Sequence, residues 1–146
     1  SRAYPVGGSL TKRQKELYEI VLKVNKETIK QVQPGETWVG LNQFARDMLA
    51  KEAVKAGVID NEEDIRDVYY HSVGHFMGLD VHDVGHYTLP FEEGMVLTVE
   101  PGLYVKEEGI GIRIEDDILV TKDGHENLSE GIPKETQDIE QLIKES

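Results

Sequence analysis

Met95-Val96-Leu97-Thr98-Val99-Glu100-Pro101-Gly102-Leu103-Tyr104-Val105 is the stretch that decides the fold. Its first half is apolar, short and rich in β-branched residues, and it follows Gly94, so it reads as a buried strand. Pro101 confines Glu100 to extended backbone, and Leu103-Tyr104-Val105 resumes the strand pattern. Glu100 is the anomaly, because a carboxylate inside an apolar strand is costly unless it is paired. Downstream, Ile110 through Val120 also reads as a strand. There Ile112, Ile114 and Ile118 mark one face, and Arg113, Glu115 and Asp117 mark the other. If the two strands pair, Glu100 and Glu115 become cross-strand neighbours. Two close carboxylates must share a proton or a cation.

Upstream of Arg66 the period is helical. Thr11 and Gln14 form a capping box that opens a helix carrying Leu17, Ile20, Val21, Val24, Thr28, Ile29 and Val32, and Pro34-Gly35 stops it. A second amphipathic helix spans about Val39 to Ala56, with Leu41, Phe44, Ala45, Met48, Leu49 and Ala53 on one side and Gly57 at its end. Asn61 to Asp64 reads as an exposed acidic loop, and Val68-Tyr69-Tyr70-His71 as a further strand. A final helix, about Thr136 to Lys144, places Ile139, Leu142 and Ile143 on one face. Helices followed by several strands predict an α+β domain with helices on one side of a mostly antiparallel sheet.

At 146 residues the chain is one domain's worth. Lys and Arg number 16 against 28 Asp and Glu, a net charge of −12. That excludes nucleic acid and anionic membrane as expected partners, since both select basic surfaces. No apolar run is long enough to span a bilayer. The absence of cysteine excludes disulfides, thiolate metal sites and a Cys nucleophile, and it fits a cytoplasmic setting.

The remaining chemistry lies in His71-Ser72-Val73-Gly74-His75-Phe76-Met77-Gly78-Leu79-Asp80-Val81-His82-Asp83. His71 and His75 are spaced like a helical zinc motif, but Ser72 replaces the general-base Glu and Gly74 disfavours a helix. His75 and His82 would face opposite ways on one strand, so a turn near Gly78 is required if both serve one site. A buried His is more often a hydrogen-bonded core residue than a ligand, and Glu115 has Arg113 as a ready ion-pair partner. Glu115-Asp116-Asp117 also fits a solvated acidic turn. Several ionisable groups in predicted sheet interiors of one small domain nevertheless point to a functional site. One His and two carboxylates suit Mn²⁺, Zn²⁺, Co²⁺ or Fe²⁺. His86 and His125 lie in polar, loop-like contexts and read as surface residues.

The strings HSVGHFMGLDVHDVGHY, GMVLTVEPGLYV and GIGIRIEDDILVT, in this order, closely resemble the Xaa-Pro peptidase branch of the pita-bread metallopeptidases, which includes aminopeptidase P and prolidase. The resemblance covers essentially the whole chain. It implies a partial pita-bread (creatinase/aminopeptidase) fold with a curved antiparallel sheet. It also implies metal-assisted hydrolysis of proline-containing peptides by two divalent ions, Mn²⁺ first with Co²⁺ or Zn²⁺ as alternatives. His75, Glu100 and Glu115 match metal ligands, and Glu100 also matches a general base or proton shuttle. His82 matches the residue that stabilises the oxyanion, His71 a residue lining the substrate pocket, and Arg113 an arginine beside the metal carboxylates. A guess for the group orienting His75 is Asp83. The family's other two ligands are aspartates upstream of the point where SRAYPV begins, and Asp47, Asp60 and Asp64 lie in the wrong context to replace them. The expectation is therefore residues 1–146 as the C-terminal part of a catalytic domain. It would bind one metal weakly, hydrolyse little alone, and present a sheet edge and apolar face for a homo-oligomer or partner. The alternative is a non-catalytic pita-bread binding module.

Overall fold

The computed structural model describes residues 1–144. Among the described residues, two α-helices and a 3₁₀ turn precede five short strands, with a second 3₁₀ turn after the second strand, and a third α-helix follows. Helix α1 (Lys12–Ile29) starts at Thr11, whose hydroxyl accepts from the Gln14 amide while Gln14 answers to the Thr11 amide. Helix α2 (Trp38–Lys55) is capped by Thr37, and Gly57 leaves it at φ +63, a conformation glycine adopts without steric cost. Leu17, Val21 and Val24 of α1 and Leu41, Ala45 and Leu49 of α2 are fully buried. Phe44 and Met48 are only half-buried. Helix α1 lies against the sheet as well as against α2, and α3 (Thr136–Lys144) packs back on α1 through Ile139.

Strand β1 (Val96–Val99) pairs with β4 (Asp116–Thr121), which pairs with β5 (Gly124–Asn127). Strand β2 (Gly102–Val105) pairs with β3 (Ile110–Arg113). All these pairings are antiparallel. The expected single strand from Ile110 to Val120 is thus two strands. Val99 faces Asp116 and Gly102 faces Arg113, so one register runs through both ladders and puts Glu100 opposite Glu115, and Pro101 opposite Ile114. The ladder breaks there because Pro101 has no N–H to donate. Only the Ile114 amide crosses, to the Pro101 carbonyl at 3.4 Å.

Other expectations are corrected. Val68 to His71 is not a strand. Val68 closes a 3₁₀ turn (Glu62–Asp67) with ψ −6, its N–H donating to the Ile65 carbonyl at 3.2 Å and its own carbonyl accepting from the Tyr104 amide at 2.9 Å. Asn61 to Asp64 opens that turn, because the Asp64 carboxylate accepts from the Asn61 amide at 3.2 Å. Strand β5, too polar to show alternation, makes His125 half-buried, with Nδ1 donating to the Val32 carbonyl at 2.9 Å. The outer side of β1 is covered. Residues 73–77 run along it, linked by Glu100 N–H to Val73 O (2.7 Å), Thr98 N–H to His75 O (2.9 Å) and Met77 N–H to Val96 O (3.0 Å). Leu79, Val81 and Val84, on the loop that follows, are exposed. Among the described residues no helix is long and apolar enough to cross a membrane.

Candidate metal centre

The segment clasping β1 carries His75, and the interrupted ladder carries Glu100 and Glu115. Gly74 permits the clasp, since a Cβ there would lie 1.9 Å from the Thr98 carbonyl oxygen. His75 N–H donates to Thr98 Oγ1 at 3.0 Å, and Thr98 Oγ1 lies 3.5 Å from Glu100 Oε1. His75 Nε2 is 3.4 Å from Glu100 Oε1 and 4.0 Å from Glu115 Oε1. One ligand atom from each of these residues falls within 4.8 Å of the others, the spread of a cation-binding triad. His75 Nδ1 is 3.0 Å from the Phe76 carbonyl, which can only accept, so Nδ1 carries a proton and Nε2 is the nitrogen turned toward the carboxylates. This carbonyl, and not Asp83, orients His75. Asp83 accepts from the Leu79 and Val84 amides, each at 2.8 Å, and shapes the turn.

That turn brings the ring of His82 within 4.3 Å of that of His75 and leaves it exposed to solvent. His71 Nδ1 donates to the Ser72 carbonyl at 2.8 Å, which leaves Nε2 to accept from Tyr104 O–H at 2.8 Å. A cavity of about 360 Å³ is lined by His71, Ser72, Gly74, His75, His82, Glu100 and Arg113. Arg113 Nε stands 3.6 Å from Glu100 Oε2. His86 is exposed, as expected.

The two carboxyls are driven apart. Burial and the neighbouring Glu115 push Glu100 up, against His75 and Arg113. Burial also opposes the charge on Glu115, but the hydrogen bond from the Ser1 hydroxyl and the charge of Arg113 favour it, and its pKa lies low. Asp117, on the same strand face, is raised by burial and by Glu115. Asp116 is no solvated turn residue. It is fully buried, 2.8 Å from Arg2 and paired with Lys134.

Sequence reading missed Thr98, Tyr104 and Asn25. Thr98 and Glu100 share a strand face, and Asn25 is the one carboxamide on an apolar helix stripe beside Leu22 and Ile29, so spacing alone carried a signal for both.

The family model described as metallopeptidase family M24 matches residues 1–122. The mitochondrial intermediate cleaving peptidase 55 of Arabidopsis thaliana is 40% identical over 98% of this chain and 31% of its own length. A Xaa-Pro aminopeptidase of Haemophilus influenzae is 38% identical over 98% of this chain and 38% of its own. Zinc-substituted aminopeptidase P of Escherichia coli, solved with product, superposes with a TM-score of 0.91 at 38% identity, over 99% of this chain and 37% of that one. The chain spans about a third of the length of these relatives. Its helices and open antiparallel sheet are those of the pita-bread fold, in the Xaa-Pro branch. From its sequence match and its architecture together, the chain belongs to metallopeptidase family M24.

Proposed function

We propose that this chain is the C-terminal part of the catalytic domain of a metal-dependent exopeptidase that removes the N-terminal residue from Xaa-Pro peptides. The observation that carries this reading is the convergence of His75 Nε2, Glu100 Oε1 and Glu115 Oε1. An imidazole lone pair and two carboxylates are the donor set of a hydrolytic divalent cation such as Mn²⁺, Co²⁺ or Zn²⁺. The ion, when bound, supplies Lewis acidity and a water nucleophile at neutral pH.

The side chains do the rest. Glu100, whose raised pKa suits proton exchange, takes a proton at Oε and passes it to the leaving proline nitrogen. Arg113 holds Glu100 through Oε2. His82, exposed beside His75, donates to the oxygen of the scissile carbonyl as charge develops there, a role whose loss costs about 10²–10³ in rate at comparable sites. His71, fixed between Ser72 and Tyr104, lines the pocket where the peptide lies.

Calorimetric titration with Mn²⁺ tests the reading. Weak, saturable binding is expected, reduced more than ~100-fold in Glu115→Ala and in His75→Ala, beyond the loss typical of a merely supporting group. Cleavage of a Gly-Pro-Xaa peptide by this chain alone is expected to be negligible. Binding that survives both substitutions, or no binding by a folded chain, would overturn the assignment of these ligands.

A further inference from the structure

We infer that Asn25 is a positioning residue. Its carboxamide replaces the ladder donor that Pro101 removes, and so sets the spacing of Glu100 and Glu115. In an unbroken antiparallel ladder the residue facing Ile114 would donate its N–H to the Ile114 carbonyl. Pro101 occupies that place and cannot. Asn25 Nδ2 supplies the missing donor at 3.3 Å, and also reaches the Val99 carbonyl at 3.1 Å. Val99 directly precedes Glu100, and Ile114 directly precedes Glu115. One amide group thus grips both strands next to the two carboxylate-bearing residues.

The grip is rigid. Asn25 is fully buried on α1. Its Oδ1 accepts from Lys134 Nζ at 3.0 Å, and a lysine only donates, so the amide has one workable orientation. Lys134 in turn pairs with Asp116, the residue after Glu115. Every hydrogen-bonding group of the Asn25 amide is therefore committed to the backbone or the neighbours of the two carboxylates. A buried polar network that is fully satisfied is the kind that fixes geometry.

This inference rests on the reading of Glu100 and Glu115 as ligands, and the test separates the two. Asn25→Leu keeps the side chain's approximate shape and removes its bonds. Leu22→Ala, on the same helix, serves as a packing control. Amide hydrogen exchange is measured at Glu100, Ile114 and Val120, beside Mn²⁺ calorimetry. The expected result for Asn25→Leu is exchange at Glu100 and Ile114 at least 10-fold faster than in Leu22→Ala after correction for global stability. Val120 should stay unchanged, and Mn²⁺ affinity should fall at least 10-fold. Asn25→Ala, which removes the same bonds with less bulk, should speed the same two amides, and it decides the matter if Asn25→Leu does not fold. Exchange that follows global stability alone would overturn the inference, whatever the metal does. Accelerated exchange in a chain that binds no Mn²⁺ would uphold the positioning and overturn the metal reading.

Discussion

Replacing Asp116 with alanine is expected to destabilise the chain by about 3–5 kcal/mol, the cost of leaving a buried ion-pair partner without its counter-charge. The carboxylate is fully buried between Arg2 at 2.8 Å and Lys134, with Asn127 donating at 3.0 Å. Arg2 and Lys134 are themselves largely shielded, at 5% and 15% side-chain exposure, so water cannot replace the lost anion. Native domains are stable by only about 5–15 kcal/mol, and a loss of this size approaches unfolding. Chemical denaturation followed by circular dichroism measures it, and a loss below about 1 kcal/mol would refute the assigned role.

The same carboxylate predicts a pH dependence. Lys134 and Asn127 overcome burial and hold Asp116 below its ordinary value. Its contribution is therefore complete above the unfolded pKa, about 3.9, and is lost as the pH falls through the lower folded value. Acid unfolding should steepen below about pH 4 in the native chain and flatten in Asp116→Asn. Glu100 has the opposite sign. Its raised pKa removes stability as the pH climbs from its unfolded value to its folded one, a penalty that a bound cation would relieve.

The second large effect is expected at Gly74. An alanine Cβ would meet the Thr98 carbonyl oxygen at 1.9 Å and its carbon at 2.8 Å, both backbone atoms that have no rotamer to escape into. Residues 73–77 would have to lift off β1, weakening the bonds from Thr98, Glu100 and Met77 that hold them. Overpacking of this kind costs about 3 kcal/mol, and here it also moves His75 away from the carboxylates. Thermal unfolding and Mn²⁺ titration of Gly74→Ala should both show the loss. Gly124→Ala, where a Cβ meets nothing within 4 Å, should stay within about 0.5 kcal/mol of the native chain.

Much of this molecule was legible in its sequence because the signals were local. The capping box at Thr11, the stripe of Leu17, Val21 and Val24, and the glycine after α2 act within a few residues, and the helices formed accordingly. Strand patterning located β1, β2 and, as a single strand, the stretch that folds as β3 and β4, and the carboxylates Glu100 and Glu115 stood out as anomalies before any pairing was known. Strand geometry alone showed that His75 and His82 could meet only through a turn between them. What the tertiary structure decided involved groups far apart in the chain. The break between β3 and β4 depends on Pro101 standing opposite Ile114, a matter of register. The loss of a strand at Val68 to His71 depends on a 3₁₀ turn fed by Asn61 and Asp64. The burial of Asp116 depends on Arg2 and Lys134 arriving from opposite ends of the chain, and the pairing of Glu100 with Glu115 depends on strand register, with Asn25 reaching in from a helix to bond both strands beside them. Patterning follows from what each residue's neighbours in sequence allow. The site follows from which hydrogen-bond donors remain to satisfy buried oxygens, and only the folded chain brings those donors within reach.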